Sequence, residues 1–472
     1  MSEQAGTVVI KVGGSVLRTP PDIVSVTERI SRLDQPPVVV VSALNGTTDS
    51  LFAVIEEAED GTASLDSFIK DIRSRHQQML SSGVSRSIDM APIDAVLEDL
   101  RERLQTIQHR GETTPRARDA ICAIGERLAA RVIAMSLQES GSAAVSIDAD
   151  ELGVITDGIF GRATVRLAET TDRIREPLLD HLAEGTIPVI TGYFGRSNHG
   201  DITTFGRGGS DYSAAIISNS LDATRLEIWK DVEGFLTADP ARISSAKVVP
   251  FMTYDEAAEL AYLGVQVLHP RTLEPVRKRQ IPVVVRGAHT ETPGTKIGPP
   301  REEPDQLRAI GTREGFGIVR MHGSAMAYEP GVGAKVFQTL SEHDINIVNM
   351  AASQATFALL VNGQDTDRAA AILEQTGIPT VEAISGDRGY SLICIVGRNI
   401  GLREGVAGRV FSVVGEAGVN VDMISVGSSN VAMSFVVDES DLPTAMQALH
   451  MALFEHASHE DDPVERSSVT GS

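Results

Sequence analysis

The sequence contains very little cysteine: the 472 residues include two, Cys122 and Cys394, and they form no Cys-x-x-Cys pair. Two isolated thiols exclude a thiolate metal site and fit a reducing cytoplasm. The chain also lacks an apolar run long enough to span a membrane. Its first residues, MSEQAGTVVIKVGG, include an acid and lead directly into a strand-like run, which is unlike a signal peptide. We therefore expect a cytoplasmic protein with no membrane partner.

A basic patch is missing as well, and the formal net charge is −22. Such an excess of acid repels nucleic acids and anionic membranes, because both carry negative charge themselves. Nucleic acid is therefore not expected among the partners of this chain.

Several common catalytic motifs are absent. The chain has no complete P-loop (Gly-x4-Gly-Lys-Ser/Thr), no Gly-x-Gly-x-x-Gly in a strand–helix context and no His-Glu-x-x-His. A Walker-type nucleotide hydrolase, a dinucleotide-dependent dehydrogenase and a zincin are all disfavoured. No residue is assigned as a protein metal ligand.

What the first three hundred residues do contain is an alternation of short apolar runs and longer amphipathic segments. The β-branched runs predict buried strands at 8–12, 37–44, 143–148, 187–194, 225–232 and 281–287. Segments 93–108 and 117–140 predict helices. This alternation predicts an α/β domain with a mostly parallel sheet sandwiched by helices, in which ligands bind at the carboxyl ends of strands.

The pattern changes at GPPREEPDQ, 298–306, where prolines and charges predict a linker. Beyond it, GVGAKVFQTLSEHDINIVNM (331–350) matches GVAGRVFSVVGEAGVNVDMI (405–424) at a spacing of 74 residues. Each copy predicts a strand, a glycine-rich turn, a helix, an Asn-containing turn and a second strand, so we expect two copies of one small α+β unit. The polar tail after residue 455 predicts disorder.

The stretch TTFGRGGSDYSAA, 203–215, combines Arg207, two glycines, Ser210 and Asp211 just before a predicted helix. It could form a phosphate site, or a plain turn with a helix cap. Four other places share this character: KVGGS at 11–15, SALNGTTD at 42–49, Gly125-Glu126 within an apolar helix, and KDVEGFLTADP at 230–240. Each could be an ordinary turn or a solvated face when taken alone. A glycine inside a helix costs about 1 kcal/mol relative to alanine, which suggests close packing or a close approach at Gly125.

Taken together, these places offer cations, glycine-rich backbone and carboxylates, but no pair of a nucleophile and a base. Phosphoryl transfer needs little covalent chemistry from the protein, because its main requirements are positive charge, N–H donors and alignment. The inventory therefore favours a phosphoryl transferase.

The chain resembles the aspartate kinases of the amino-acid kinase family in six blocks. In chain order these blocks are KVGGSVL, VVVVSALNGTTD, GERLAARVIAMSL, TTFGRGGSDYSAA, EIWKDVEGFLTADP and YDEAAELAYLGVQVLHPRTLEP. The repeat after residue 306 resembles the tandem ACT domains of that family, which are ferredoxin-like α+β units that bind amino-acid effectors. The resemblance spans about residues 7–455. It implies a catalytic domain at 1–300, a first ACT domain at 307–386, a second at 387–455 that can be interleaved with the first, and a disordered tail at 456–472.

The resemblance also implies roles for individual residues. Lys11 and Asp211 would be catalytic, the lysine neutralising the phosphoryl group and the aspartate orienting the lysine. The substrate would be bound by Ser42, Thr48, Glu126, Arg207 and Ser210, with Arg207 gripping its α-carboxylate and Glu126 meeting its ammonium group. ATP would be held by Lys11, Gly13, Gly14, Ser15, Lys230, Asp231, Leu236, Asp239 and Arg242. An effector would lie near Asn346 and Asn420.

The implied activity is phosphorylation of the β-carboxylate of L-aspartate by ATP with Mg²⁺, as the first step towards lysine, threonine and methionine, or towards ectoine. Lysine or threonine would be the effector, and the chain would form a homo-oligomer through its ACT domains. Two alternatives stay open: an amino-acid kinase that acts on another carboxylate, and a non-catalytic protein that senses amino acids.

Overall fold

The computed structural model describes residues 6–80, 89–263, 267–302, 306–324, 326–378, 380–427 and 429–455. The described residues form two compact units. The first comprises those within Met1–Phe235, Pro250–Ala258 and Gln266–Arg301; the second comprises those within Leu236–Val249, Glu259–Val265 and Glu302–Ser472. The tail predicted at 456–472 lies outside the described residues. Among the residues that are described, no helix has both the length and the apolar character needed to cross a bilayer.

The first unit is built on an eight-stranded sheet with a small two-stranded sheet beside it. Its strands are β1 (Val8–Val12), β2 (Val38–Val41), β3 (Ala144–Ile147), β4 (Ile187–Thr191), β5 (Phe194–Arg196), β6 (Ile202–Thr204), β7 (Arg225–Lys230), β8 (Phe251–Thr253), β9 (Val283–Gly287) and β10 (Thr295–Gly298). The order in the large sheet is β3-β4-β2-β1-β7-β9-β10-β8, and every pair is parallel except β9 with β10. A strand is present in each of the six predicted ranges, although the range 187–194 contains two, β4 and the start of β5 in the small sheet; the parallel α/β sheet is confirmed.

Helices connect these strands, as the apolar periodicity predicts. They are α1 (Pro20–Ser31), α2 (Thr47–Glu59), α3 (Leu65–Met79), α4 (Ala91–Arg110), α5 (Pro115–Cys122), α6 (Ile124–Glu139), α7 (Ala149–Leu152), α8 (Leu167–Ala183), α9 (Gly209–Leu221), α10 (Tyr254–Tyr262) and α11 (Pro270–Lys278). The first five residues of α10 belong to the first unit and the rest to the second.

The single helix predicted at 117–140 is wrong, because the chain forms two helices, α5 and α6, that meet at Ala123. Gly125 therefore lies in the first turn of α6 rather than in the middle of a helix. The close approach expected there is present: a Cβ on Gly125 would lie 2.8 Å from the Cβ of Ala43, just beyond β2.

The described residues of the second unit form a six-stranded sheet and four α-helices after the linker. Its strands are β11 (Leu307–His322), β12 (Ile347–Ala352), β13 (Thr356–Asn362), β14 (Ala383–Gly397), β15 (Met423–Ser425) and β16 (Ala432–Asp438). Its helices are α12 (Val332–Glu342), α13 (Thr366–Thr376), α14 (Val406–Glu416) and α15 (Leu442–His450). The strand order is β12-β13-β11-β14-β16-β15.

The internal repeat appears as two matching helix–strand segments. Helices α12 and α14 each follow a glycine in the left-handed region, Gly331 at φ 94° and Gly405 at φ 80°. The strand after each helix, β12 or β15, begins shortly after an exposed asparagine, Asn346 or Asn420. The repeated glycines thus mark the start of corresponding helices, because L residues with side chains rarely adopt positive φ.

The two halves of the repeat share their long strands. Residues 316–322 of β11 pair with β13, whereas residues 307–313 pair with the second half of β14, which in turn pairs with β16. The first part of β11 thus joins the β14–β16 half of the sheet, and the first part of β14 pairs with residues 316–322 of β11 in the other half. The domain boundaries themselves stay a prediction.

The segment Leu236–Val249 belongs to this second unit although it follows β7 of the first unit in the chain. The N–H of Ile310 donates to the carbonyl of Thr237 (2.8 Å), and Ala238 and Ile243 are buried in the same hydrophobic cluster as Leu453. The side chain of Thr237 lies 2.9 Å from Nε2 of the buried His450.

Candidate active site

The candidate site lies where four neighbouring strands of the parallel sheet end. The N–H of Ser42, after β2, donates to the carbonyl of Val12 at the end of β1 (3.1 Å). The N–H of Gly13 donates to the carbonyl of Trp229 on β7 (3.1 Å), and that of Gly192, after β4, donates to Val41 on β2 (2.9 Å). The carboxyl ends of β4, β2, β1 and β7 therefore meet at one edge of the sheet, where ligands bind in folds of this class.

Asp211 stands at this edge between two lysines. Its Oδ1 lies 2.7 Å from Nζ of Lys11, and its Oδ2 lies 3.1 Å from Nζ of Lys230. Asp211 occupies the first turn of α9, which begins after Gly208 at φ 72°. The sequence anticipated these residues individually, and the structure brings all three together.

Burial and charge act in opposite directions within this cluster. Burial alone would raise the pKa of Asp211, but the ammonium groups of Lys11 and Lys230 outweigh it and lower that pKa to about 2. Burial lowers the pKa of Lys11, and the Asp211 carboxylate opposes that shift. Asp211 is therefore held as an anion that keeps two cations at the strand ends.

The glycine loop after β1 is tightly packed. A Cβ on Gly14 would collide with the carbonyl oxygen of Ala43, and one on Gly13 would lie 3.2 Å from that of Trp229. Because the N–H of Gly13 is already bonded to Trp229, the N–H groups of Gly14 and Ser15, at the start of a short 3-10 helix, are the ones that could face a phosphate. The hydroxyl of Ser15 donates to Asp231 (3.0 Å).

A cavity of about 680 Å³ opens beside the Lys11–Asp211 pair. Among the predicted residues, its lining includes Lys11, Ser42, Arg207, Ser210 and Asp211. Arg207 is exposed, whereas Ser210 and Asp211 are buried. A cavity with cations at its wall and hydroxyls nearby suits a small anionic substrate.

Glu126 is buried behind the end of β2. Its Oε1 accepts the N–H of Ala43 (3.1 Å), while Oε2 is buried and has no hydrogen-bond partner among the described residues. Burial raises the pKa of this carboxyl to about 8, and the N–H of Ala43 offsets part of the shift. An unsatisfied carboxyl oxygen is costly, so the position is suited to a cationic ligand group.

Other predicted residues lie apart from the cavity wall. Thr48 is half-buried in the first turn of α2 and is not among the cavity-lining residues. Leu236, Asp239 and Arg242 belong to the second unit, where Arg242 pairs with Glu314 and lies 3.9 Å from Asp239. Their assignment to ATP stays a prediction.

The asparagines of the repeat precede the strands at the two ends of the six-stranded order, β12 and β15. Asn349 of β12 nevertheless donates to the hydroxyl of Ser434 on β16, the neighbour of β15 (3.3 Å). Arg320 on β11 lies 3.3 Å from Asp422, two residues after Asn420. The two halves therefore approach each other near the predicted turns, while the effector assignment stays untested.

Sequence reasoning missed part of the cavity wall. The cavity lining also includes Asp49, Thr204, Gly206, Gly208 and Gly209, which lie within the candidate stretches 42–49 and 203–215. The lining residues outside those stretches are Phe52, Arg118, Asp119, Cys122, Gly161 and Tyr193. Asp119 gave no local signal, because its partners Gly161 and Thr204 lie 42 and 85 residues further along the chain. Tyr193 gave no signal, although it adopts φ 76°, which is rare for a residue with a side chain.

Comparisons with known proteins agree with this geometry. Residues 6–287 match the model of the amino acid kinase family, and residues 311–375 and 393–453 match ACT domain models. Aspartokinase 1, chloroplastic, of Arabidopsis thaliana is 32% identical over 96% of this chain and 81% of its own length. Lysine-sensitive aspartokinase 3 of Escherichia coli is 30% identical over 89% of this chain and 92% of its own. The crystal structure of E. coli aspartokinase III with aspartate and ADP (R-state) aligns with a TM-score of 0.79 at 28% identity, covering 95% of this chain and all of that one.

These matches extend over the catalytic unit and both halves of the repeat. The chain belongs to the amino acid kinase family and, within it, to the aspartokinases. The fold expected from the sequence, with a kinase sheet followed by ACT-type units, is confirmed.

Proposed function

We propose that the chain transfers the γ-phosphoryl group of ATP to the β-carboxylate of L-aspartate and releases 4-phospho-L-aspartate and ADP. The observation that carries this proposal is the buried Lys11–Asp211–Lys230 cluster at the wall of a cavity that also contains Arg207. Aspartokinase III of E. coli has been crystallised with aspartate and ADP, which supports aspartate as a substrate and ADP as a product here.

In the reaction, a β-carboxylate oxygen forms a bond to the γ-phosphorus while the bond from that phosphorus to the bridging oxygen of ADP breaks. Lys11 and Lys230 place positive charge where negative charge spreads over the transferring group. Asp211 holds the two lysines in register, and no residue needs to take up a proton, since the attacking carboxylate is already ionised.

Substrate recognition would fall to Arg207 and Glu126. The guanidinium of Arg207 can bind the α-carboxylate as a bidentate fork, a contact of about 1.5–3 kcal/mol. The unsatisfied Oε2 of Glu126 would accept the α-ammonium group. Ser42, Arg207 and Ser210 line the cavity. Neither Glu126 nor Thr48 is among its lining residues, and Thr48 would support the site from the first turn of α2.

ATP would be bound by Gly14, Ser15, Lys230 and Asp231 around the glycine loop. Mg²⁺ that arrives with ATP typically keeps several waters and takes few protein ligands. The ion would be held chiefly by the β- and γ-phosphates, whose charge it would neutralise, because both oxygens of Asp211 already pair with lysines.

Regulation by an amino acid is proposed for the ACT-type unit. A relative is named as a lysine-sensitive aspartokinase, so lysine is the first candidate effector and threonine the second. We place the site near Asn346 and Asn420, with homo-oligomers forming through this unit. The product would enter the synthesis of lysine, threonine and methionine, or of ectoine. The two free buried cysteines support a reducing cytoplasm as the location of the protein.

Trapping the acyl phosphate as a hydroxamate tests the activity. Purified chain with ATP, Mg²⁺ and hydroxylamine is offered L-aspartate, D-aspartate, L-glutamate and N-acetyl-L-glutamate in parallel. Product from L-aspartate alone is expected, and Lys11→Ala serves as the matched inactive control. Preferred turnover of another carboxylate would replace the substrate assignment, and no turnover with any would favour a sensing role.

A further inference from the structure

A carboxylate fixes the loop that carries Arg207 to a neighbouring segment of the same chain. Asp119 on α5 is 4% exposed, and its Oδ2 accepts the N–H groups of both Gly161 and Thr204 at 2.8 Å. Thr204 ends β6 and stands three residues before Arg207. One carboxyl oxygen therefore joins two backbone segments at the cavity wall, and each bond is strengthened by the charge of the acceptor.

A guanidinium fixes the same two segments through their carbonyl groups. Arg271, in the first turn of α11, donates to the carbonyl of Phe205 (3.2 Å) and to that of Ala163 (2.6 Å). Its guanidinium also lies 4.3 Å from the centre of the Tyr212 ring. An anion thus binds N–H groups and a cation binds C=O groups of the same pair of segments.

Close packing adds to this arrangement. The N–H of Ala163 donates to the carbonyl of Thr204 (2.9 Å), and a Cβ on Gly206 would lie 2.8 Å from the carbonyl oxygen of Gly161. A Cβ on Gly208 would collide with the side chain of His269, which caps α11. The peptides on both sides of Arg207 are therefore held, while the Arg207 side chain itself is exposed.

We propose that Asp119 and Arg271 are positioning residues that hold the Arg207 loop in the geometry that binds the α-carboxylate of the substrate. This inference rests on the proposed function. It also gives a role to the block VLHPRT, in which His269 and Arg271 both act on the loop rather than on the substrate.

The test compares Asp119→Ala with Asp119→Asn. Alanine removes the acceptor, whereas the amide oxygen of asparagine can still accept both N–H groups without a charge. We expect the KM for aspartate to rise about 10- to 100-fold for alanine, because a displacement of about 1 Å in a binding group has effects of this order, and by a clearly smaller factor for asparagine. The KM for ATP should stay within about twofold in both variants.

Asp201→Asn is the matched control. Asp201 lies just before β6 and pairs with Arg116 on α5, but it is not among the residues that line the cavity. Its kinetic constants should equal those of the unchanged chain. Arg271→Ala should repeat the selective rise in the aspartate KM, and added guanidinium at millimolar concentration should lower it again.

A double-mutant cycle locates the effect. In an Arg207→Lys background, Asp119→Ala should raise the aspartate KM by less than about threefold, because the fork it positions is already absent. Equal losses for asparagine and alanine, or full additivity with Arg207→Lys, would overturn the proposal and indicate that Asp119 touches the substrate itself. Parallel changes in both KM values with a lower melting temperature would also overturn it, in favour of a purely structural role. If the unchanged chain forms no acyl phosphate from aspartate, the proposed function fails first, and the cycle is run with whichever carboxylate is accepted.

Discussion

The raised pKa of Glu126 makes aspartate binding depend on pH in a direction that can be calculated. In the folded chain without substrate the Glu126 carboxyl has a pKa of about 8, so at pH 7 about one molecule in ten carries it ionised. If the carboxylate accepts the substrate ammonium, only this form binds aspartate well. The kcat/KM for aspartate should then rise about tenfold per pH unit between pH 6 and 7 and level off above about pH 8, because kcat/KM reports the free enzyme.

Replacing Glu126 with glutamine removes the titration and leaves the shape of the side chain. At pH 8.5 the variant should lose about 1.5–3 kcal/mol of substrate binding, the usual value of a hydrogen bond to a charged group. The difference from the unchanged chain should shrink as the pH falls, because Glu126 of the unchanged chain is then protonated and as uncharged as the glutamine. Initial rates of hydroxamate formation at limiting aspartate, measured from pH 6 to 8.5, give the two profiles.

Two controls accompany this comparison. The kcat/KM for ATP, measured at saturating aspartate, should not follow the same curve, and Glu28→Gln, which changes an exposed carboxylate paired with Arg32, should reproduce the unchanged profile. Parallel profiles for the glutamine variant and the unchanged chain would refute the assignment of Glu126 to the ammonium group.

The same group should also affect folding stability. Its pKa is about 8 in the folded chain and 4.5 without the fold, so between these values the folded state holds a proton that the unfolded state has released. The contribution of Glu126 to stability is therefore complete below about pH 4.5 and is lost as the pH rises towards 8. Chemical denaturation of Glu126→Gln should show a smaller fall in unfolding free energy over this range, and an unchanged slope would contradict the buried pKa.

The remaining predictions concern the phosphoryl group, the substrate fork and the effector. Lys11→Ala should lower kcat at least ~100-fold, because one preorganised donor is worth about 3 kcal/mol, yet the fold should persist since Asp211 keeps Lys230; normal turnover would remove Lys11 from the site. Arg207→Lys should raise the KM for aspartate far more than that for ATP, and equal increases would assign Arg207 to the nucleotide. Calorimetric titration should show one amino acid of the aspartate family binding at millimolar concentration or below, with a coupling of about 1–3 kcal/mol to activity. An Asn346→Ala/Asn420→Ala variant should lose this binding, and intact binding in that variant would place the effector elsewhere.

Strand positions could be predicted from the sequence because buried parallel strands have a strong local signature. VVIKV, predicted at 8–12, has the same bounds as β1, whereas the run predicted at 37–44 extends three residues beyond the end of β2. The place of the candidate site followed from the rule that such strands carry ligands at their carboxyl ends. The short strands β8 and β10, which are the last two in the sheet order, carried no comparable signal, because three or four residues are too few to show a period.

The parts that could not be predicted depend on contacts between distant residues. The break at Ala123 follows no proline or glycine at that position, so nothing local marks it. Asp119 looked like an ordinary polar residue of a helix until Gly161 and Thr204, 42 and 85 residues away, were seen to donate to it. The sequence predicted that Gly14 makes room for ATP. In the structure, the absence of a side chain at Gly14 makes room for the carbonyl of Ala43, and the N–H groups of this loop are left for a ligand.

The placement of Leu236–Val249 has a consequence for the order in which the chain is made. This segment is synthesised directly after β7, but its partner His450 follows 213 residues later in the chain. At typical translation rates of 5–20 residues per second, about 10–40 s pass before that partner exists. During this interval Ala238 and Ile243 lack the apolar surface that finally buries them, and the 307–313 half of β11 waits for β14 in the same way. A chain truncated before α15 would thus keep these early segments unpaired, which would expose it to degradation.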